Sequence, residues 1–285
     1  MSVDARFQPL SKARRSRIAD LATRTGRERH GRFLLEGPRA IEDALRRGLA
    51  LDCLVASTDG EADVARWIAA GLVPESTALY RAERGELERL ADTTTPQGVL
   101  AVGALPPAGL DALPEPGGAE GAARGAPLLL VDGVQDPGNL GTLLRTLAAV
   151  GGRIAICCVG TVDPFNPKAL RGSAGTALSL SIARGIEREA AVGWCAERGV
   201  SIVALAVGGS DLFAAPLFAA PAASAIPEGP VALAIGNEAA GLSPEIERAA
   251  RVVAGIPMEP GVESLSAAIA GSVALYALAH HLIRS

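Results

Sequence analysis

Three turns in the second half of the chain carry residue types able to bind a phosphate or a nucleoside. They are 136-DPGNLGTLLR-145, 235-IGNEAAGLS-243 and 256-IPMEPGVESLS-266. In the first, Asp136-Pro137-Gly138-Asn139 is a turn signal that opens a helix, with Asn139 predicted as its N-cap. Arg145 follows six residues later on the same helix, so both side chains can serve one cleft. The free N–H groups of a helix start also suit a phosphate. In the second, an apolar strand runs out at Gly236-Asn237-Glu238. Gly236 permits close backbone approach to a ligand, and Glu238 can accept hydrogen bonds from a nucleoside or hold a cation. In the third, Ile256-Pro257-Met258 is predicted to end a strand and Ser264 to cap a long helix. Main-chain groups there can meet an adenine edge while Ile256 and Leu265 pack its faces. Taken singly, each turn is weak: alone, Arg145 reads better as an ordinary surface arginine, Gly-Asn-Glu could be only a turn and Met258 plain core.

These turns need a scaffold that brings them together, and the surrounding pattern supplies one. Leu128–Val131, Arg153–Val159, Ser201–Val207 and Val231–Ile235 are continuous apolar runs, as expected of strands covered on both faces. Helical stretches lie between and after them: Leu140–Val150, Ile186–Arg198, Pro244–Ala250 and a long Ala-rich one at Ser264–Ile283. Alternation of this kind predicts a mostly parallel sheet with helices on both sides, and such sheets collect ligands at the carboxyl ends of their strands. A Pro/Gly/Ala-rich stretch at 106–127 reads as a flexible linker. It separates a domain at 128–285 from a smaller α/β domain at 1–105. In the latter, Pro38–Arg47 and Glu61–Ala70 have a helical period, and Leu51–Ala56 and Val99–Val102 are strand-like.

Composition narrows the chemistry. The 285 residues are 49% hydrophobic and 20% charged, enough apolar content for sizeable cores. No uninterrupted apolar run reaches the length of a membrane span, and Met1–Leu10 lacks the pattern of a secretory signal. Cys53, Cys157, Cys158 and Cys195 form no CxxC, and with three histidines no metal-ligand spacing exists. Buried free thiols in a reducing cytoplasm are the expectation. The net charge of −4 hides a local excess, because eight Lys/Arg and two acids lie between Ser11 and Arg32. Lys12, Arg14, Arg15, Arg29 and Arg32 of this segment are candidate phosphate contacts. The chain has no Walker-type phosphate loop, no GxGxxG after a strand and no nucleophile elbow with a matching histidine.

Together the three turns resemble, in order and spacing, the three motifs of the SpoU (TrmH-like) branch of the SPOUT RNA methyltransferases. The stretch 163-DPFNPKALRGSAGT-176 resembles the segment between the first two. The runs 32-RFLLEGPRAIEDALRRG-48 and 96-PQGVLAV-102 resemble the L30e-like substrate-binding domain of many members. The resemblance implies a C-terminal SPOUT domain with a mostly parallel sheet and a deep trefoil knot, a smaller N-terminal L30e-like α/β domain, and a homodimer with composite active sites. It implies S-adenosylmethionine as cofactor, held by Gly236, Ile256, Met258, Leu265 and Ser266. Asn139, Arg145, Glu238 and Ser264 would form a reaction centre for 2′-O-methylation of a ribose. Large-subunit ribosomal RNA is the favoured substrate and tRNA the alternative. The family's third motif usually reads Ser-Leu-Asn, whereas this chain has Ser264-Leu265-Ser266, so one hydroxyl stands where an amide offers both a carbonyl and an NH₂. That departure leaves open a catalytically weak RNA-binding homologue. A base-methylating SPOUT enzyme is the other competing expectation.

Overall fold

The computed structural model describes residues 6–118, 126–214 and 229–284. The chain folds as two compact units. Unit 1 comprises 1–106 with 165–178, and unit 2 comprises 107–164 with 179–285.

Unit 1 is built on a five-stranded sheet. In chain order the strands are β1 (Phe7–Pro9), β2 (Arg32–Glu36), β3 (Leu51–Ala56), β4 (Ala78–Arg81) and β5 (Val99–Ala104). Their order across the sheet is β1-β4-β3-β5-β2, with β5 antiparallel to both of its neighbours. The expected strand Leu51–Ala56 is present, and the helices expected at 38–47 and 61–70 form as Pro38–Arg46 and Glu61–Ala69. Helix Pro38–Arg46 buries Ala40, Ile41, Ala44 and Leu45, the i, i+1, i+4, i+5 stripe that its sequence carries. The basic segment folds as two further helices, Lys12–Asp20 and Arg24–His30, capped by Ser11 and Thr23. Arg27 of the second is buried, and its guanidinium donates to the carbonyls of Leu21 (2.8 Å) and Ala22 (3.0 Å), so this cation satisfies a helix end. The helix Pro167–Gly172 packs within unit 1, where Arg171 reaches Glu36 (3.3 Å) and Asp92 (2.6 Å).

Unit 2 carries a six-stranded sheet, and every one of its strand pairs is parallel. Its strands are β6 (Leu128–Asp132), β7 (Ile154–Cys158), β8 (Ser181–Ile186), β9 (Ser201–Asp211), β10 (Val231–Gly236) and β11 (Val252–Gly255), in the order β11-β9-β10-β6-β7-β8. β6 and β7 are buried along their whole length, which is why they read as unbroken apolar runs. The strand β8 went unpredicted, β11 is the strand expected to end at 256–258 but stops at Gly255, and β9 runs four residues past its apolar stretch. Within the segment expected to be linker, Leu110 and Leu113 pack on the core of unit 2, while 119–125 lie outside the described residues.

The helix Pro137–Ala149 and the C-terminal helix Ala267–Arg284 pack against each other. A Cβ on Gly271 would come within 2.3 Å of Leu143 Cδ2, and the hydroxyls of Thr146 and Ser272 are 2.9 Å apart. All four cysteines are buried free thiols. Burial pushes Cys53 and Cys195 up to about 11 and Cys158 up to about 12, which keeps them protonated and inert.

Candidate active site

The central strands β6 and β10 pair in register, so Asp132 lies beside Gly236 at their carboxyl ends. The first turn departs from one and the second from the other. The helix after β6 starts at Pro137, and its N-cap is Asp136, whose carboxylate accepts from Asn139 N at 2.8 Å. Asn139 is therefore not the cap that its sequence position suggested. It lies in the first helical turn with its side chain free for other work, and Nδ2 donates to Glu238 Oε1 at 2.9 Å. The other Glu238 oxygen accepts from Gln135 N at 3.4 Å. Two of the three turns are thus joined through the side chains of Asn139 and Glu238.

The second turn is held rigidly. Asn237 Nδ2 donates to Gly133 O (2.8 Å), and its Oδ1 accepts from Ala239 N and Ala240 N (2.9 Å each). Asn237 and Gly241 exchange both backbone hydrogen bonds. A Cβ on Gly236 would lie 2.2 Å from Gly241 C and 2.3 Å from Gly241 O. The close approach predicted at Gly236 is therefore first of all that of the protein's own backbone.

Sequence reasoning missed the group that anchors this loop. Asp132 is only 2% exposed; its Oδ1 accepts from Arg188 Nε (2.8 Å) and its Oδ2 from Ser243 N (2.7 Å). Arg188 Nη2 also donates to Val159 O (3.2 Å). One carboxylate thereby ties the end of β6 to the loop after β10 and to the helix Arg188–Glu197. The signal was legible in 128-LLLVD-132, because an acid closing a fully buried strand must find partners.

The third turn completes a cavity of about 350 Å³ in unit 2. It is walled by Leu205, Ala206 and Val207 of β9, by 235–242, and by Ile256, Met258, Ser264, Leu265, Ala267 and Ala270, with Glu247 also on its lining. A break in the sheet makes the space. Along β11 the pairing with β9 jumps from Ala204 to Ser210, so 205–209 leave the register and the first three of them face the cavity. Strand β11 stops at Gly255, one residue before Ile256.

Of the residues expected from sequence, Gly236, Glu238, Ile256, Met258, Ser264 and Leu265 converge on this cavity. Asn139 is bound to it through Glu238. Ser264 does not cap the C-terminal helix. That helix begins at Ala267, and Ser266 Oγ accepts from Ile269 N at 3.3 Å. Ser266 is thus the capping group and does not line the cavity. Arg145 does not line it either; it is exposed and makes no hydrogen bond or ion pair among the described residues.

In unit 1 the candidate RNA contacts differ among themselves. Lys12 is exposed and has no ion-pair partner among the described residues, and Arg14 stacks 4.2 Å over the Tyr80 ring. Arg15, Arg29 and Arg32 pair with Glu86, Asp20 and Asp52. Among the described residues no helix is long and apolar enough to cross a membrane, and no cluster of three metal-ligating side chains occurs.

The cavity suits a nucleoside-bearing cation. Its apolar walls can sandwich a base, and its charged lining residues are the two carboxylates Glu238 and Glu247. Comparison with known proteins identifies the family. Residues 127–276 match the SpoU rRNA Methylase family, and residues 16–101 match the MRM3-like substrate binding domain. The chain is 31% identical to an uncharacterized tRNA/rRNA methyltransferase of Synechocystis, covering 96% of this chain and 92% of that protein. It is 28% identical to a 23S rRNA (guanosine-2′-O)-methyltransferase of Bacillus subtilis, covering 95% and 99%. The solved structure of the SpoU methyltransferase AviRb from Streptomyces viridochromogenes, in complex with AdoMet, superimposes with a TM-score of 0.79 at 27% identity, covering 96% and 99%.

Proposed function

Since this chain belongs to the SpoU rRNA methylase family, we propose that it transfers a methyl group from S-adenosylmethionine to a ribose 2′-oxygen of large-subunit ribosomal RNA. The observation that carries this reading is the Asn139–Glu238 hydrogen bond on the rim of a cavity lined by Gly236, Ile256 and Leu265.

The cofactor supplies an electrophilic methyl on a sulfonium. The protein's task is to orient the sugar hydroxyl towards it and to manage one proton and one developing negative charge. Ile256, Met258 and Leu265 bury the apolar faces of the nucleoside. Glu238 and Glu247 favour a cationic ligand in that cavity. Asn139 and the Gln135 N–H fix the Glu238 carboxylate by one hydrogen bond to each oxygen, so it meets the reacting groups in a single orientation. Orientation of this kind lowers barriers by roughly 7–11 kcal/mol in favourable cases. Arg145 binds an RNA phosphate and stabilises charge on the 2′-oxygen. A guanidinium, with its pKa above about 12, suits that role better than the role of base. Arg145→Ala is expected to lower turnover by about 100-fold or more, and to leave S-adenosylmethionine affinity unchanged in calorimetry. Turnover close to wild type would remove Arg145 from the mechanism.

The N-terminal unit supplies RNA affinity through Lys12, Arg14, Arg15, Arg29 and Arg32. The working form is a homodimer. Ile269 and Tyr276, one heptad apart on the C-terminal helix, are 53% and 57% exposed, and Phe213 is 58% exposed. Tyr276 and Phe213 flank an open apolar groove with Leu212, Val273 and Ala277. A second copy of the chain covering this face would remove it from water.

A further inference from the structure

A separate concavity, of about 270 Å³, belongs wholly to unit 1. Strand register builds its floor. Cys53 pairs with Ala78 on one side and with Val102 on the other, so the three side chains stand abreast on one face of the sheet. Tyr80, two residues beyond Ala78, shares that face, and Ile18 and Leu21 close the floor from the helical side. The rim is polar and mostly cationic: Arg14, Arg17, His30, Arg32 and Asp52.

The rim groups are held in different ways. The Arg14 guanidinium is 4.2 Å from the centre of the Tyr80 ring. Arg32 is fixed by Asp52 and by Gly31 O at 2.9 Å. His30 Nε2 lies 3.1 Å from Asp20. Arg17 is exposed and makes no hydrogen bond or ion pair among the described residues.

An apolar floor, a guanidinium–aromatic stack and a cationic rim together match one chemistry: a flat heteroaromatic ring attached to phosphates. A phosphate alone would make no use of the flat guanidinium face that Tyr80 supports or of the apolar floor. A base inside a duplex cannot present its face, because its neighbours are stacked on it. We propose that this cavity receives one unpaired nucleobase of the substrate RNA. The base lies on the outer face of the exposed Arg14 guanidinium, which the buried Tyr80 ring holds flat from beneath, and its flanking phosphates meet Arg17 and Arg32. The inference rests on the RNA substrate proposed above. It adds that unit 1 recognises an unstacked nucleotide as well as backbone charge, so the substrate must offer a loop, a bulge or an end.

The test uses the full chain and three labelled ten-nucleotide probes followed by fluorescence anisotropy: a single-stranded RNA of mixed sequence, the same strand in a duplex, and a base-free ribose-phosphate oligomer. Arg14 is exposed, so Arg14→Ala should fold, and its melting curve verifies this. The expected result is a roughly tenfold loss of affinity for the single strand, in line with the worth of one stacked base, and much smaller losses for the other two probes. Ala78→Leu fills the floor without touching a charge and should reproduce the same selective loss. Equal losses on all three probes would mean phosphate contact only and would overturn the proposal. So would unchanged affinity for the single strand in both variants. S-adenosylmethionine binding by the wild-type chain is measured alongside. Its failure would count against the methyl-transfer reading and leave the outcome for the cavity standing on its own.

Discussion

Ser266 is the residue at which this chain departs from the usual third motif, and the structure gives that position a concrete duty. Its hydroxyl accepts from Ile269 N at the start of the C-terminal helix, the element that also carries Ala267 and Ala270 to the cavity wall. Serine and asparagine are near-equal caps, whereas alanine is a poor one. Ser266→Asn should therefore leave thermal stability nearly unchanged, and Ser266→Ala should cost about 1 kcal/mol; denaturant titration of the pair checks this. Equal destabilisation by both would show that the hydroxyl works through something other than the cap. Asn139 teaches a related lesson. Its sequence position suggested a cap, but Asp136 takes that duty, and this frees the Asn139 amide to reach a residue 99 positions away.

Among the elements, those legible in sequence were the ones buried on both sides. β6, β7 and β10 are unbroken apolar runs because helices cover both faces of a parallel sheet. β8 reads Ser-Ile-Ala-Arg-Gly-Ile and is only partly buried, so it offered no such run. The far end of β9 is Gly-Gly-Ser-Asp, which reads as a turn. It is a strand because β11 resumes pairing there, and Gly209 and Gly255 admit the close approach of the two backbones. The basic helix Lys12–Asp20 was legible only as charge, since Ile18 is its one buried side chain. The cavity-lining residues from the second and third turns were visible as motifs. The bulge that contributes Leu205, Ala206 and Val207 was not, because it arises from pairing between distant strands.

Asp132 is the joint between these elements. Removing its carboxylate strands the half-buried Arg188 and frees the Ser243 amide. Asp132→Ala should cost about 1–3 kcal/mol of stability. It should also weaken S-adenosylmethionine binding, because the loop that bears Glu238 loses its anchor. Wild-type cofactor affinity in a folded Asp132→Ala protein would deny that anchoring role.

At the scale of the whole molecule, the chain forms two compact units, to which the proposed function gives different tasks. The all-parallel sheet of unit 2 gathers three sequence-distant turns at its carboxyl edge, while unit 1 offers a cationic rim over an apolar floor. The homodimer proposed on the exposed Ile269 and Tyr276 predicts that light scattering gives twice the chain mass. Ile269→Glu with Tyr276→Glu should give a monomer with little activity. A monomeric wild type with full turnover would contradict the dimer.

The central claim is the position of the transferred methyl group. The direct measurement incubates the protein with S-adenosylmethionine labelled in its methyl group and an unmodified large-subunit rRNA transcript, then digests the RNA to nucleosides. The expected result is label that migrates with a 2′-O-methylribonucleoside, and one phosphodiester bond, 3′ to the modified residue, that resists alkaline hydrolysis. Label on a base, or no transfer from a cofactor that the protein binds, would contradict it.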